Sequence, residues 1–325
     1  MAICRYLVAD GRHCNEEAGE HDLCHWHDPH TNKQDPHTAE ALEQYVRAGG
    51  LCHGLQLARA NLAGLNLAGL NLVNKGSKQG FLLEQCNLYR ANLRGGHLYG
   101  LRMKGGSLMK ADLSDANLHC AILDDVNLLG IRWHNTRLDN MQTGKRVMQD
   151  RKGRHERDPE QARVWFKEAE ETYRDLRKAS EAQGIFTMSG NYIQQELTMR
   201  RLQLPFWSSQ RFTSWIVDLF CGYGEAPMRV VLFSLLLIFI CSIFYFFFGL
   251  SFNGNHLAYH PGAPFEQNAI FLLECLYYSV VTFTTLGYGD FTPIGLSRLF
   301  AAFEAFTGSF TLALFVVVFV KKMTR

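Results

Sequence analysis

Long apolar runs occur only in the last third of this chain of 325 residues. Residues 1–205 are polar and charged and contain no such run. Residues 228–250 carry no charged side chain after Arg229, and a second apolar stretch covers about 296–320. At about 1.5 Å per residue, such stretches are long enough to cross the ~30 Å hydrocarbon layer of a membrane. We predict two membrane-spanning helices; the alternative for 228–250 is a buried helix in a large soluble core.

Basic residues flank the two runs on one side of the predicted membrane. Residues 251–295, between the runs, contain no Lys or Arg. The flanking basic residues are Arg200, Arg201, Arg211 and Arg229 before the first run and Lys321, Lys322 and Arg325 after the second. The positive-inside rule therefore predicts a multi-pass protein of the cell (inner) membrane with both termini in the cytoplasm. In that reducing compartment the nine cysteines are expected to be metal ligands or small apolar side chains rather than disulfides.

A different pattern, with a period of five, runs through residues 51–140. The repeating apolar positions are Leu57, Leu62, Leu67 and Leu72 and, after the interruption VNKGSKQG shifts the register by one residue, Leu83, Leu88, Leu93, Leu98, Met103, Leu108, Leu113, Leu118, Leu123 and Leu128. A small residue often lies two positions before each, and Asn or Asp one position before. Because this period fits neither a helix nor a strand, it predicts a solenoid of stacked units.

The repeat resembles the pentapeptide-repeat family, with its pattern A-(D/N)-L-x-x. That resemblance implies a right-handed quadrilateral β-helix in which each five-residue unit forms one side and the leucines point inward. Residues 51–140 contain ten Lys and Arg against six Asp and Glu, so the acidic DNA-mimicking inhibitors of that family are a poor match. The formal net charge of +2 likewise gives no reason to expect a nucleic-acid partner. We expect an unknown cytoplasmic ligand or protein to bind the solenoid.

Two helical segments are predicted between the solenoid and the first span. A helix-start signal, Asp158-Pro159-Glu160-Gln161, and Gly184 near the middle predict an αα-hairpin over 158–204. Residues 208–225 form an amphipathic pattern around Trp215. This second segment is interpreted as a helix in the membrane interface, with a soluble linker helix as the alternative.

The stretch TTLGYGD, residues 284–290, lies between the two runs. It follows the apolar residues 269–283, which are too few to cross a bilayer and predict a re-entrant helix. Irregular backbone at membrane depth is tolerated only where it is buried in protein or lines water. Gly287 and Gly289 permit backbone angles that put successive carbonyl groups on one side of the chain.

Residues 228–325 resemble the pore domain of two-span potassium channels, whose filter sequence is T-V-G-Y-G. The matching residues here are Thr285, Leu286, Gly287, Tyr288 and Gly289. The resemblance implies that their carbonyls and the threonine hydroxyl replace the hydration shell of K⁺, the permeant ion. One such loop supplies a quarter of a ring, which implies a homotetramer. The implied parts are an outer helix (228–250), a pore helix (269–283), the filter (285–289) and an inner helix (296–320).

The same resemblance implies roles for residues around the filter. Asp290 corresponds to the acidic residue after the filter, Gly308 to a gate hinge in the inner helix, and Arg298 to an arginine at its top. Tyr277 and Tyr278 correspond to aromatic residues that support the filter. Where the two-helix bacterial channel has a glutamate, this chain has Val281, so the Tyr277 hydroxyl is the candidate partner of Asp290.

Glu304 is an ionisable residue inside the second apolar run, where such residues usually face protein. We expect it to brace the pore helix near Thr284. A neutral, protonated glutamate near the outer end of the inner helix is the alternative.

Residues 1–30 are rich in cysteine and histidine. Cys4, Cys14, Cys24 and His27 supply three thiolates and an imidazole, the donor set of a closed tetrahedral Zn²⁺ site, and their spacing resembles the plant WRC-type zinc motif. A segment with so few large apolar residues needs such a cross-link to fold. A redox sensor of free cysteines and a disordered segment are the alternatives, and His13, His21 and His25 are rival ligands.

The sequence as a whole predicts a multidomain protein. Its parts are a zinc module (1–30), a pentapeptide-repeat solenoid (51–140), a helical hairpin (158–204), an interfacial helix (208–225) and an all-α two-span pore domain (228–325). The predicted function is a tetrameric potassium channel with a cytoplasmic regulatory domain. Two alternatives are a membrane-anchored scaffold with little or no conduction and a soluble enzyme inhibitor, which the two spans disfavour. No catalytic motif occurs, so an enzyme is not expected.

Overall fold

The computed structural model describes residues 2–7, 11–52, 54–67 and 82–323. The chain divides into two compact units, Met1–Arg211 and Phe212–Arg325. Each unit is described by itself below. Leu72 and the interruption VNKGSKQG of the repeat lie outside the described residues.

Parallel pairing between residues twenty positions apart builds the centre of the first unit. Strands β1 (Leu82–Glu84), β2 (Arg102–Lys104) and β3 (Ile122–Asp124) form one parallel sheet in that order, with Leu82 opposite Arg102 and Arg102 opposite Ile122. Isolated bridges continue the same spacing along other sides, such as Asn92 with Asp112. A coil therefore takes four five-residue units. Asn61 instead pairs with Asn87, 26 residues away, so the interruption inserts six extra residues into its coil.

The inward-facing positions of this solenoid are those of the five-residue pattern. From Leu83 to Leu128, every predicted apolar position is at most 4% exposed. The small side chains two positions earlier, among them Ala91, Ala111 and Ala121, are fully buried. The predicted solenoid, with its leucines directed inward, is confirmed. Burial of each leucine contributes on the order of 2 kcal/mol of hydrophobic free energy relative to exposure.

A left-handed backbone residue turns the chain once in every repeat. These residues, two positions after each apolar centre, have φ between 52° and 68° and are Arg59, Gln85, Arg90, Gly95, Gly100, Gly105, Lys110, Asp115, Cys120, Asp125, Gly130, Asn135 and Asn140. A left-handed residue other than glycine costs roughly 1–2 kcal/mol. The ladder of parallel hydrogen bonds on either side offsets this strain, which explains why lysine and arginine are tolerated at several corners.

A short helix, α1 (Thr38–Arg47), covers the N-terminal end of the solenoid. The Glu43 carboxylate accepts a hydrogen bond from the Asn66 amide at 2.6 Å, and the Lys33 carbonyl accepts one from the Asn61 amide at 2.8 Å. Leu42 of α1 belongs to the same buried cluster as the leucines of the repeat. An open edge of paired backbone would template aggregation, so this covering satisfies the terminal coil. The sequence analysis did not predict α1.

Three helices close the C-terminal end: α2 (Met148–His155), α3 (Pro159–Ala182) and α4 (Phe186–Leu202). The Gln183 side chain accepts a hydrogen bond from the Leu138 amide at 3.0 Å and also contacts the Thr136 carbonyl. These bonds satisfy the last coil as α1 satisfies the first.

Ion pairs join α3 to α4. Glu196 pairs with Arg177 at 2.8 Å and with Arg174 at 3.2 Å, and Glu170 pairs with Arg200 at 3.1 Å. Burial raises the pKa of the Glu170 carboxyl, but the combined effect of Gln203, Arg200 and Arg174 lowers it by more. The pKa of Glu170 therefore lies below its usual value. The ionised form therefore stabilises the helix pair, and this contribution is lost as the pH falls through the folded pKa.

The second unit contains the two membrane-spanning candidates. They are α6 (Pro227–Phe248) and α8 (Ser297–Met323), of 22 and 27 residues, with mean hydropathies of 2.8 and 2.0. Helix α7 (Phe265–Phe283) packs against both. The other elements are α5 (Ser209–Cys221), a 3₁₀ turn (Gly222–Gly224) and the strands β4 (Leu250–Phe252), β5 (Asn255–Leu257) and β6 (Phe291–Pro293), which form an antiparallel sheet in the order β5-β4-β6.

Candidate functional site

The segment TTLGYGD connects the C-terminal end of α7 to strand β6. Thr285, Gly287 and Gly289 have φ of 57°, 59° and 79°, whereas Leu286 and Tyr288 between them have negative φ. Alternation between the two hands of backbone aims successive carbonyl groups to the same side of the chain. A row of carbonyl oxygens on one side is a set of cation ligands.

Helix α7 leads directly into this segment. The Leu286 amide still donates to the Val281 carbonyl at 3.0 Å, and the Thr284 hydroxyl donates to the Val280 carbonyl at 2.7 Å. The negative end of the α7 dipole therefore lies next to Thr285. Partial negative charge at a helix C-terminus favours a cation nearby.

Asp290, after the segment, lies beside the end of α7. Its carboxylate interacts with the Tyr277 phenol, and its Oδ1 accepts a hydrogen bond from the Phe291 amide at 3.0 Å. The Tyr277 and Phe291 rings meet edge to face with centroids 6.2 Å apart. The structure thus brings Tyr277 and Asp290 together.

Glu304, fully buried, joins all three long helices of the second unit. Its Oε2 accepts a hydrogen bond from the Tyr245 hydroxyl of α6 at 2.6 Å, and its Oε1 contacts the Ser279 hydroxyl of α7. Tyr278 packs edge to face on Tyr245 with ring centroids 4.9 Å apart. Glu304 therefore meets α7, the predicted pore helix, at Ser279, more than one turn before Thr284. Tyr245 and Ser279 were missed in the sequence, although each is a polar residue in a mainly apolar helix.

The two contacts of the Ser279 hydroxyl indicate whether Glu304 is protonated. The Ser279 hydroxyl lies 2.8 Å from the Ile238 carbonyl as well as against the carboxyl group. One hydroxyl has one proton and so donates one bond. Both contacts are hydrogen bonds if Ser279 donates to Ile238 and a protonated Glu304 donates to Ser279. This geometry favours a neutral, protonated Glu304, which is the alternative that the sequence allows.

Gly308 lies one helical turn after Glu304 on the same face of α8. A Cβ added at Gly308 would come within 2.1 Å of the Phe283 carbonyl oxygen, at the end of α7. Only glycine permits this close approach of the two backbones. Helix α8 continues unbroken from Ser297 to Met323 through this position.

Two further contacts hold the ends of α8. The Arg298 guanidinium donates to the Pro293 carbonyl at 3.2 Å. The Lys321 ammonium pairs with Glu225, between the 3₁₀ turn and α6, at 2.7 Å. These bonds link α8 to strand β6 of the sheet at one end and to the start of α6 at the other.

The four predicted zinc ligands come together in the first unit. Cys4, Cys14, Cys24 and His27 are all buried, and their donor atoms lie within 4.8 Å of one another. The Cys14 and Cys24 sulfurs are 3.7 Å apart, and the Cys4 sulfur is 3.8 Å from His27 Nδ1. In a tetrahedral site with Zn–S bonds of ~2.3 Å the sulfurs are about 3.8 Å apart. The donors and their separations fit a zinc ion.

Neighbouring groups orient these ligands. The Tyr6 ring stacks on His27 with centroids 4.2 Å apart. Burial raises the pKa of the Cys4 thiol, but the backbone N–H groups of Cys24 and Tyr6 lower it, and the pKa ends below its usual value. A lowered pKa favours the thiolate that binds metal.

The rival histidines lie outside the cluster in the part of the chain that the structure describes. His21 is 2.9 Å from Asp28, which raises the pKa of His21. His25 packs edge to face on Trp26, with ring centroids 4.7 Å apart. His13 forms a backbone bridge with Leu7.

The two units of the chain match different protein families. Residues 231–325 match a family model described as "Ion channel", and residues 86–130 match one described as "Pentapeptide repeats", in eight copies. The chain therefore carries an ion-channel region and a pentapeptide-repeat region. Neither family is an enzyme family. The channel region implies a membrane protein that assembles as an oligomer.

Solved structures similar to this chain are pentapeptide-repeat proteins. One is alr5209 from Nostoc PCC 7120, with 29% identity over 30% of this chain and 72% of that one and a TM-score of 0.24. Another is HetL of the same cyanobacterium, involved in heterocyst differentiation regulation, with 27% identity over 26% and 50% and a TM-score of 0.16. With TM-scores this low, the likeness bears on neither the fold nor the function of this chain. A comparison with curated proteins gives no match.

Proposed function

We propose that this chain is one subunit of a homotetrameric, potassium-selective channel. The observation that carries the proposal is the backbone of Thr285–Gly289, which alternates in hand between α7 and the sheet, within a region that matches ion channels. Four such loops around one axis would supply rings of carbonyl oxygens that replace the hydration shell of K⁺. Leu286 contributes its carbonyl, so its difference from valine leaves the ligands unchanged.

The residues around the loop have supporting roles in this proposal. Tyr277 holds Asp290 at the outer end of the filter. Glu304 fixes the inner helix to the pore helix, with Tyr278 packed beside it. Thr284 ends the pore helix through its bond to Val280. Gly308, the hinge residue of the resemblance, lets the inner helix lie against the end of the pore helix, where a gate movement would be felt.

The first unit is a cytoplasmic regulatory domain in this proposal. Its twenty-residue coils support the right-handed quadrilateral β-helix that the resemblance implies. The distribution of Lys and Arg supports cytoplasmic termini and a location in the inner membrane. An unidentified cytoplasmic ligand or protein would act on the solenoid. Such a ligand shifts channel opening only by binding the open and closed forms with different affinity.

The metal site is structural in this proposal. Zn²⁺ held by Cys4, Cys14, Cys24 and His27 would cross-link a segment that packs on the first coil. Gln56 donates a backbone hydrogen bond to the Trp26 carbonyl at 2.8 Å, and Trp26 packs on Tyr45 of α1. The metal module and α1 therefore form one covering of the solenoid.

Ion flux into liposomes tests the proposal. Purified full-length protein should conduct K⁺ strongly over Na⁺, with block by Ba²⁺, because rings of filter carbonyls replace the hydration shell of K⁺. Gly287→Ala should abolish selective flux, since φ at this position is 59°. Gly254→Ala is the matched control, because Gly254 has φ of 84° and equally open surroundings but lies in the β4–β5 turn. Absent flux would favour the membrane-anchored scaffold, and equal flux of both ions would contradict selectivity.

A further inference from the structure

A cleft of about 580 Å³ opens in the first unit, between α2 and the C-terminal end of α4. The charged residues of its lining are Arg154, Arg163, Arg211 and Glu156. The volume suits a small ligand or a headgroup. The solenoid and the metal centre contribute no residue to it.

Two of the three arginines in the cleft keep their charge without an acidic partner. Arg154 is held by the buried Asp150 at 2.6 Å. Arg211 donates to the Leu204 carbonyl at 2.9 Å and lies over the Phe206 ring, 5.2 Å from its centroid. Arg163 is exposed and forms no ion pair among the residues that the structure describes. The cleft is therefore a positive site.

The only acidic side chain of the lining is engaged by backbone. Glu156 Oε1 accepts hydrogen bonds from the amides of Arg157 at 2.9 Å and Asp158 at 3.3 Å. It forms no ion pair with Arg163 or Arg211 among the residues that the structure describes. An anion entering the cleft would meet uncompensated guanidinium groups, which bind phosphate oxygens with two parallel hydrogen bonds.

Apolar surface lies directly beside these charges. Phe166 lines the cleft, and Gly153 leaves room for its ring, since a Cβ at Gly153 would come within 2.8 Å of it. At the rim, Phe206 is 71% exposed and Trp207 is 93% exposed. Their rings meet edge to face with centroids 5.3 Å apart. Arginine beside exposed tryptophan is typical of the membrane interface, where one end of the ring is apolar and the other wet.

We propose that this cleft binds the headgroup of an anionic phospholipid from the membrane in which the same chain is anchored. Only fifteen residues lie between Arg211 and Pro227, the first residue of α6. A tether this short raises the effective concentration of lipid headgroups at the cleft. A free acidic peptide would match the arginines but would leave Phe206 and Trp207 in water. The proposal rests on the cytoplasmic placement of the first unit and not on potassium conduction.

Hydrogen exchange on the full-length protein in lipid nanodiscs tests the proposal. Amides of residues 202–208 should exchange more slowly with phosphatidylglycerol than with phosphatidylcholine. Each arginine near an anionic surface raises affinity about fivefold. The variant Arg163→Glu with Arg211→Glu removes two positive charges and adds two negative ones, so it should bind phosphatidylglycerol at least roughly 25-fold more weakly. The milder Arg163→Gln, which breaks no ion pair in the structure, should lose about fivefold.

Arg102→Glu, an exposed change on β2, is the control and should keep the full lipid preference. Equal exchange in the two lipids, or a preference that persists in the double variant, would overturn the proposal. Inorganic phosphate added to phosphatidylcholine nanodiscs is a separate arm, and full protection by phosphate alone would overturn the assignment to a lipid. Potassium flux measured on the same variants in liposomes of the same lipids distinguishes this outcome from a failure of the channel proposal.

Discussion

The solenoid and the ion-channel region (residues 231–325, the pore region of our proposal) bury their apolar side chains in opposite ways. In the solenoid, the apolar positions from Leu83 to Leu128 are at most 4% exposed within a single chain. In the pore region, Leu299 is 70% exposed and Phe306 is 76% exposed. The solenoid completes its own core by stacking coils. The pore helices leave their apolar surface to lipid and, in our proposal, to other copies of the chain.

This contrast predicts two kinds of mutational effect. Changes in the solenoid should act on the free energy of unfolding, because each coil is held by its neighbours in the same chain. Changes in the pore region should act on assembly and conduction, because in our proposal four chains together complete the filter. The predictions below run from the largest expected effect to the smallest.

The contact between Gly308 and Phe283 is the most sensitive point of the pore region. Gly308→Ala should abolish conduction, because its Cβ would lie 2.1 Å from a backbone oxygen that cannot move away without displacing the end of the pore helix. Ser309→Ala, the next residue on an exposed face, should conduct like the wild type. The measurement is K⁺ flux in liposomes at equal protein incorporation. Normal flux in Gly308→Ala would show that the contact is unimportant.

Removing one metal ligand should speed amide exchange only at the N-terminal end of the solenoid. Cys14→Ser should lose about one zinc ion per chain by elemental analysis, since a closed site needs all four ligands. The Asn61 and Asn66 amides, bonded to Lys33 and Glu43, should then exchange faster, while the Arg132 and Arg137 amides should not change. Cys120→Ser, outside the cluster, is the control. Retained zinc would refute the ligand assignment.

The leucine positions test the self-contained core of the solenoid. Leu83→Ala should destabilise the first unit by roughly 2–5 kcal/mol, because it removes a buried side chain and leaves a cavity. Leu82→Ala, at the adjacent position that is 50% exposed, should change the free energy of unfolding by no more than about 0.5 kcal/mol. Chemical denaturation followed by circular dichroism measures both. Similar losses for the two variants would contradict inward-facing leucines.

The smallest effect is expected for Glu304→Gln. A glutamine amide donates to Ser279 and accepts from Tyr245 as the protonated glutamate does, so flux and selectivity should stay near the wild-type values. Glu304→Leu should lower flux, because it leaves both buried hydroxyls with one partner fewer. If Gln is as damaging as Leu, Glu304 acts as a carboxylate and the hydrogen count at Ser279 has been misinterpreted.

The sequence predicted more of the solenoid than of the pore region. A period of five cannot be accommodated by helix or strand, so the repeat alone predicts the solenoid and its buried positions. The covering helix α1 was missed, because it is short and its bond from Glu43 to Asn66 joins residues far apart in the chain. The predicted helices after the solenoid were found at Pro159–Ala182 and Phe186–Leu202, since a strong N-cap signal marks the first.

The pore shows where local pattern stops being informative. The filter, Tyr277 and Asp290 are close in sequence and were grouped by resemblance. Tyr245 and Glu304 lie 59 residues apart on different helices, and nothing in a single sequence pairs them. The cluster of Cys4, Cys14, Cys24 and His27 was predicted because three cysteines and a histidine within 27 residues have few uses other than metal binding in a reducing compartment.

The central claim, that four copies complete one selective pore, is tested most directly by mixing subunits. Wild-type and Gly287→Ala chains are co-expressed in equal amounts, and K⁺-selective flux is compared with that of wild type alone. If one altered filter segment disables the ring, random assembly of four chains leaves about one sixteenth of the wild-type flux. Half of the wild-type flux would mean that each chain conducts independently, and would contradict the account.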